Sequence, residues 1–275
     1  MRTATRSFTL QRPRTLEGAL RLLREQPSLV PIAGCTDVFV SLEFGGKPGT
    51  DYLDVTPLKS LARIAMAGDT LSIGALATWT DVQRSRLVKT RLPMLVDAAR
   101  EVGGAQIQNR GTVGGNLVNA SPAGDSLPVF AVADASVVLA SADGERRVAF
   151  NDFYTGYRKI VRRADELVIA VEVPPLAGRQ CFRKVGTRAA QAISKIVFAG
   201  LGGPRPRLAL GSVSPTVVRL RQTEAALAAG AGIDAALAAL QLEIHPIDDL
   251  RSTAEYRHEV SANLVRWFWE TEHSS

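Results

Sequence analysis

Leu16, Leu20 and Leu23 recur at helical spacing behind Thr15, which predicts an amphipathic helix capped by that threonine and ended by Pro27. Leu29 to Ala33 then reads as a short buried strand that empties into the turn Gly34-Cys35-Thr36-Asp37, with a second apolar stretch, Val38 to Leu42, behind it. Asp51 to Val55 predicts a further strand, and Ile64 to Ala67 with Leu71 to Gly74 predicts a hairpin closed at Gly68-Asp69. Thr80 is placed to cap the next helix, and Leu92 to Val102 reads as helix stopped by Gly103-Gly104. Two strands, Ser136 to Ala140 and Arg146 to Phe150, flank the turn signal Asp143-Gly144, and Glu166 to Val173 is another strand. Pro174-Pro175 marks a domain boundary. Beyond it, Ile193 to Ala199 and Arg207 to Val213 read as strands, Thr223 to Leu240 as helix broken near Gly230 and Gly232, and Ser252 to Phe268 as a last helix.

At 275 residues the chain is long enough for two domains, each with a core that needs neither disulfides nor metals. Apolar residues at 46% and charged residues at 22% fit a globular protein, and no apolar run reaches the roughly 18 residues of a membrane helix. No secretory signal follows the basic N-terminus, so a cytoplasmic location without membrane contact is expected. Cys35 and Cys181 are too few for an iron–sulfur cluster, so any metal centre belongs to a partner. The net charge of +6 is scattered, and its densest cluster, Arg158 to Arg163, is followed at once by Asp165 and Glu166. That distribution argues for a solvated surface rather than a nucleic-acid groove.

Two glycine-rich segments carry the candidate chemistry. The first is Pro31-Ile32-Ala33-Gly34-Cys35-Thr36-Asp37-Val38. The second lies within Gly104 to Asp125, a stretch of 22 residues with five glycines that reads as one long loop; it contains Thr112-Val113-Gly114-Gly115-Asn116 and Ser121-Pro122-Ala123-Gly124-Asp125. A diphosphate must be approached closely by several backbone N–H groups, which small residues permit and which curved runs of amides provide. Thr36, Thr112 and Ser121 add hydroxyls, while Asn116 and Asp125 offer partners for sugar-like hydroxyls. Neither segment carries a P-loop lysine, Gly45-Gly46-Lys47 lacks the flanking residues of one, and no G-x-G-x-x-G occurs. Taken singly, each segment also fits an ordinary tight turn.

Ala33 to Asp37, Ile73-Gly74-Ala75, Gln108 to Asn116 and Ser121 to Asp125 together resemble the FAD-binding signatures of the medium subunits of xanthine dehydrogenase and carbon monoxide dehydrogenase. The resemblance continues through Phe182 to Arg188, Ala192 to Lys195, Ala209 to Val213 and Pro246 to Arg257, and so spans nearly the whole chain in order. It implies an α+β fold: an FAD-binding domain of the vanillyl-alcohol-oxidase/PCMH type over residues 1–175, in subdomains of about 1–57 and 58–175. A smaller C-terminal domain of the CO dehydrogenase flavoprotein type, with an antiparallel sheet, would occupy 176–275.

The resemblance also implies an FAD whose diphosphate lies between Pro31–Val38 and Thr112–Asn116, with Asp125 at the flavin's sugar-like chain. Ile73 and either Val168 or Ile169 would pack on the isoalloxazine, and Lys184 would set a positive charge near it, where a cation stabilises reduced flavin. Molybdopterin and two [2Fe–2S] clusters would sit in separate large and small subunits, the assembly being a dimer of heterotrimers that delivers electrons to NAD or another acceptor. Cys35 departs from the family's usual second glycine, which implies a tuned loop. The segment between Lys195 and Pro206 is shorter than usual and is expected to trim a strand or hairpin. Two rivals stand beside this reading: a stand-alone flavin oxidoreductase, which needs an acid or base over the flavin, and a scaffold that has lost FAD.

Overall fold

A computed structural model of the chain describes residues 8–44 and 49–273; Gly45-Gly46-Lys47 and the first seven residues lie outside them. The chain opens with β1 (Thr9–Gln11), α1 (Leu16–Glu25), β2 (Val30–Ile32), α2 (Val38–Glu43) and β3 (Asp51–Asp54). The strands form a parallel sheet in the order β1-β3-β2. Thr15 caps α1 as expected, its hydroxyl accepting from the Gly18 amide at 3.1 Å. The apolar stretch after the first glycine segment is the helix α2.

The second part runs through β4 (Ile64–Ala67), β5 (Thr70–Gly74), α3 (Trp79–Arg84), α4 (Arg86–Arg91), α5 (Pro93–Glu101), α6 (Ala105–Gln108), α7 (Val113–Asn119) and α8 (Leu127–Val132). It then adds β6 (Ser136–Ser141), β7 (Gly144–Ala149), β8 (Tyr154–Gly156), β9 (Lys159–Ile160) and β10 (Leu167–Val173). The main sheet is antiparallel, ordered β4-β5-β10-β6-β7. Both of its faces are covered, which explains the continuous apolar run of β6. Val137 and Leu139 face the largest core, built around Trp79, Phe130, Phe150 and Phe153, while Val138 and Ala140 face a second core shared with Leu20 and Leu23 of α1. Alternate side chains of one strand thus serve opposite layers.

Two expectations are corrected here. Thr80 is not the cap: Thr78 is, with Asp81 completing a reciprocal capping box, and the Thr80 hydroxyl instead donates to Asn109 at 2.6 Å. Nor is Gly104 to Asp125 one loop, because it contains α6 and α7. Glycine opposes helix by about 1 kcal/mol per residue, but close packing overrides that at Gly114, where an added Cβ would come within 2.7 Å of the Ala75 Cβ.

The last part comprises β11 (Gln180–Val185), β12 (Ile196–Leu201), β13 (Arg207–Gly211), β14 (Val218–Arg219), α9 (Arg221–Ala228), α10 (Ile233–Glu243) and α11 (Ala254–His273). Its strands form an antiparallel sheet in sequential order, and the β12–β13 hairpin spanning the short segment is intact. Ile196 and Phe198 face a core of Leu210, Val265 and Phe268 on the helix side. Val197, Ala199, Ala209 and Phe182 point the other way, into the largest core. The C-terminal sheet is therefore one wall of the core that underlies the glycine segments. No described helix is long and apolar enough to cross a membrane.

Candidate functional site

β2, an edge strand of the parallel sheet, delivers the first glycine segment. Pro31 and Ile32 pair with Leu53 and Asp54 of β3, and the chain then turns through Ala33, Gly34, Cys35 and Thr36 into Asp37 and Val38 at the start of α2. Gly34 is required for space: a Cβ there would lie 1.9 Å from the Arg110 carbonyl oxygen. Position 35 needs a different property, because Cys35 adopts φ +60°, the left-handed region that glycine enters without penalty. Cysteine, where the family usually has glycine, thus sits in a conformation that glycine would adopt without strain. Its thiol donates to the Ala33 carbonyl at 3.4 Å, and burial pushes its pKa up, with Asp54 adding to the rise and Arg110 opposing it.

The second segment meets the first directly. Besides the Gly34–Arg110 contact, a Cβ on Gly111 would stand 3.5 Å from the Thr36 hydroxyl, and Asn119 donates to Asp37 at 3.2 Å. The two differ in what they offer a ligand. The amides of Val113, Gly114, Gly115 and Asn116 are all engaged, with Ala77 O, Ala75 O, the Thr112 hydroxyl and Thr112 O respectively. Among the described residues, the amides of Gly34, Cys35, Thr36 and Asp37 have no partner within the chain. Unpartnered N–H groups are therefore concentrated in the first segment, while the second presents the exposed Gly115, the half-buried Asn116 and the Thr112 hydroxyl.

After α7, Ala120 turns the chain in the left-handed region, at φ +51°, into Ser121 to Asp125. The Ser121 hydroxyl accepts from the Ala123 amide at 3.3 Å, and Ser126 donates to the Asn116 side-chain oxygen at 2.7 Å. Asp125 is buried and paired with Lys184 of β11, Oδ2 to Nζ 2.8 Å. Its other oxygen, Oδ1, is buried without a hydrogen-bond partner. Burial raises the Asp125 pKa to about 6 even though the Lys184 ammonium lowers it, so desolvation outweighs the pair.

Lys184 is spent within the protein, since it also donates to the Glu101 carbonyl at 3.0 Å. Ile73 is wholly buried in β5, paired with Ile64 and Val171. Val168 and Ile169 are also buried and point to different cores, as successive residues of a strand do. The Ile169 carbonyl accepts from the Ala75 amide at 2.9 Å, one step beyond the Ala170–Gly74 pair of β10 and β5. The structure thus gathers Gly34 to Asp37, Thr112 to Asn116 and Asp125 with Lys184, and sets Ile73 and Val168 beneath them in the core. Sequence reasoning assigned no role to Arg110, whose carbonyl abuts Gly34, or to Ser194 and Ser212, which grip the loop before Asp125. Both serines lie inside recognisable segments, but nothing local marks them as touching that loop.

The arrangement fits a dinucleotide cofactor on three counts. Unspent amides line a turn whose Gly34 has no room for a Cβ, hydroxyls flank it, and a buried carboxylate oxygen lacks a partner where hydroxyl donors would satisfy it. Among the described residues no group of three or more His, Cys, Asp or Glu is placed to hold a metal ion.

A sequence profile of the FAD binding domain in molybdopterin dehydrogenase matches residues 6–176, and one of the CO dehydrogenase flavoprotein C-terminal domain matches residues 203–271. The glyceraldehyde dehydrogenase medium chain of Sulfolobus acidocaldarius is 30% identical over 263 residues, 92% of this chain and 94% of the relative. The nicotinate dehydrogenase FAD-subunit of Eubacterium barkeri is 34% identical over 198 residues, 70% of this chain and 67% of the relative. A solved structure of carbon monoxide dehydrogenase from Hydrogenophaga pseudoflava superposes with a TM-score of 0.87 at 26% identity, covering 94% of this chain and 95% of that one.

Proposed function

The chain belongs to the FAD-binding subunits of the molybdenum hydroxylase family, and from that premise we propose that it is an electron-transfer subunit. It takes electrons from [2Fe–2S] clusters of a small partner subunit and passes them to NAD or another acceptor. A large molybdopterin subunit oxidises the substrate, and the assembly is a cytoplasmic dimer of heterotrimers. The FAD domain is residues 1–175 and the C-terminal domain 176–275.

When bound, FAD supplies redox chemistry that side chains lack. The chain's own residues bind and orient it. Amides of Gly34 to Asp37 would hold the diphosphate, with the hydroxyls of Thr36, Thr112 and Ser121 and the side chain of Asn116 around it. Asp125 Oδ1 would accept from a hydroxyl of the sugar-like chain, with Lys184 holding that carboxylate in place. Ile73 and Val168 form the apolar wall behind the site, while Ile169 faces the second core.

The observation that carries this reading is the pairing of four unspent amides in the first segment with the unpartnered Asp125 Oδ1. The test is to load the purified chain, alone and with its partner subunits, with FAD, remove the excess and record the visible spectrum. Retention of one flavin per chain, bleached anaerobically by NADH in the complex, is expected. A colourless wild-type complex overturns the assignment; a flavin reduced only by other donors overturns NAD as acceptor.

A further inference from the structure

Three positions of the Ser121–Asp125 loop, at Pro122, Ala123 and Asp125, are held from the C-terminal part of the chain. The Ser212 amide donates to Pro122 O at 2.8 Å, the Ser194 hydroxyl donates to Ala123 O at 3.1 Å, and Lys184 Nζ meets Asp125 Oδ2 at 2.8 Å. The two serines brace each other, with the Ser212 hydroxyl donating to Ser194 O at 3.2 Å. Ser194 and Ser212 are both buried, so these bonds are shielded from competing water. Ser212 reaches its geometry at φ +67°, a conformation unfavourable for a non-glycine residue, and its neighbour Gly211 lies so close to the loop that a Cβ would stand 3.1 Å from Pro122 O. Local strain of this kind persists only where surrounding structure over-determines it.

We propose that Ser194, Ser212 and Lys184 are positioning residues for the flavin site: the C-terminal sheet holds the Ser121–Asp125 loop in the shape that presents Asp125 Oδ1, so FAD affinity and docking of that sheet are linked. The proposal rests on the FAD reading above. Its physical core is reciprocity, since whatever the clamp adds to FAD binding, bound FAD must return to the clamp.

The test uses the full chain stripped of FAD and titrated with FAD by fluorescence quenching, alongside amide hydrogen exchange. In Ser194→Ala the FAD dissociation constant rises about tenfold, the effect of one lost buried hydrogen bond, and Ser194→Thr, which keeps a hydroxyl, recovers most of it. In the wild type, FAD slows exchange of the Ser212 amide by a comparable factor. A purely structural serine would lower the thermal midpoint of the FAD-free chain and leave the FAD dissociation constant unmoved; that result overturns the proposal. So does wild-type protein that binds FAD with no change at the Ser212 amide, a measurement that needs no variant to fold. Wild-type chain that binds no FAD at all is a separate outcome and sinks the FAD reading itself.

Discussion

Replacing Gly34 by alanine is the sharpest perturbation of the site. The added Cβ would fall 1.9 Å from Arg110 O, whereas real Cβ contacts are essentially never under 3.0 Å, so the two backbones must separate by about 1.1 Å. No side-chain rotation relieves this, because both partners of the clash are main chain. Overpacking of this kind costs about 1–3 kcal/mol in stability, and the displaced turn no longer aims its amides at one diphosphate. Loss of two amide contacts to a charged group, at about 1.5 kcal/mol each, weakens FAD binding roughly 100-fold. Titration of the FAD-free variant by calorimetry or flavin fluorescence measures it. Gly156→Ala serves as control, since its Cβ would find nothing nearer than the Lys159 Cδ at 3.9 Å. A Gly34→Ala chain that binds FAD within threefold of wild type, with an unchanged thermal midpoint, would refute the contact between the two segments.

Three further outcomes are expected. Burial raises the Asp125 pKa from the ordinary carboxylate range to about 6, so over that interval the native state holds a proton that the unfolded state has released. Its contribution to stability is complete below about pH 4 and is lost as pH rises through 6; urea midpoints across that range should show the decline in the FAD-free wild type and not in Asp125→Asn, and identical slopes would refute the burial argument. At Cys35, Cys35→Gly should leave stability within about 1 kcal/mol, because relief of left-handed strain offsets the greater freedom of the unfolded chain. Cys35→Val, β-branched at φ +60°, should cost about 2 kcal/mol in the same denaturation assay. Glu166, buried beneath Arg146, accepts from its guanidinium at 2.6 and 2.9 Å and from the Arg163 amide at 2.7 Å. Glu166→Ala should destabilise by about 2 kcal/mol, less than for a fully buried pair because Arg146 can turn to solvent; no change in urea midpoint would show that the pair is idle.

Local rules were sufficient for much of this chain. The cap at Thr15, the turns at Gly68-Asp69 and Asp143-Gly144, and the break between α9 and α10 follow from residues within a few positions of one another, so each was legible in sequence. The two glycine segments were legible for the same reason, since small residues concentrated in a short stretch are a local property. What local rules misjudge is any stretch whose conformation is decided by a distant neighbour. Val113 to Asn119 is helical because Gly114 packs on Ala75 and Thr112 caps the turn, against the preference of its own two glycines.

The site divides along the same line. Composition marked the stretches around Gly34 and Gly115 as suited to a diphosphate or to tight turns, and the order of the motifs along the chain carried the family resemblance. Only the tertiary structure decided which amides remain unspent, because that depends on whether Ala75 and Ala77 lie within reach of the second segment. It alone set Lys184 against Asp125 rather than leaving it exposed, and brought Ser194 and Ser212 under the loop, because β11, β12 and β13 turn one face into the largest core. Conformational preference is written in neighbouring residues, whereas the fate of a polar group is settled by whatever the fold brings within about 3 Å of it.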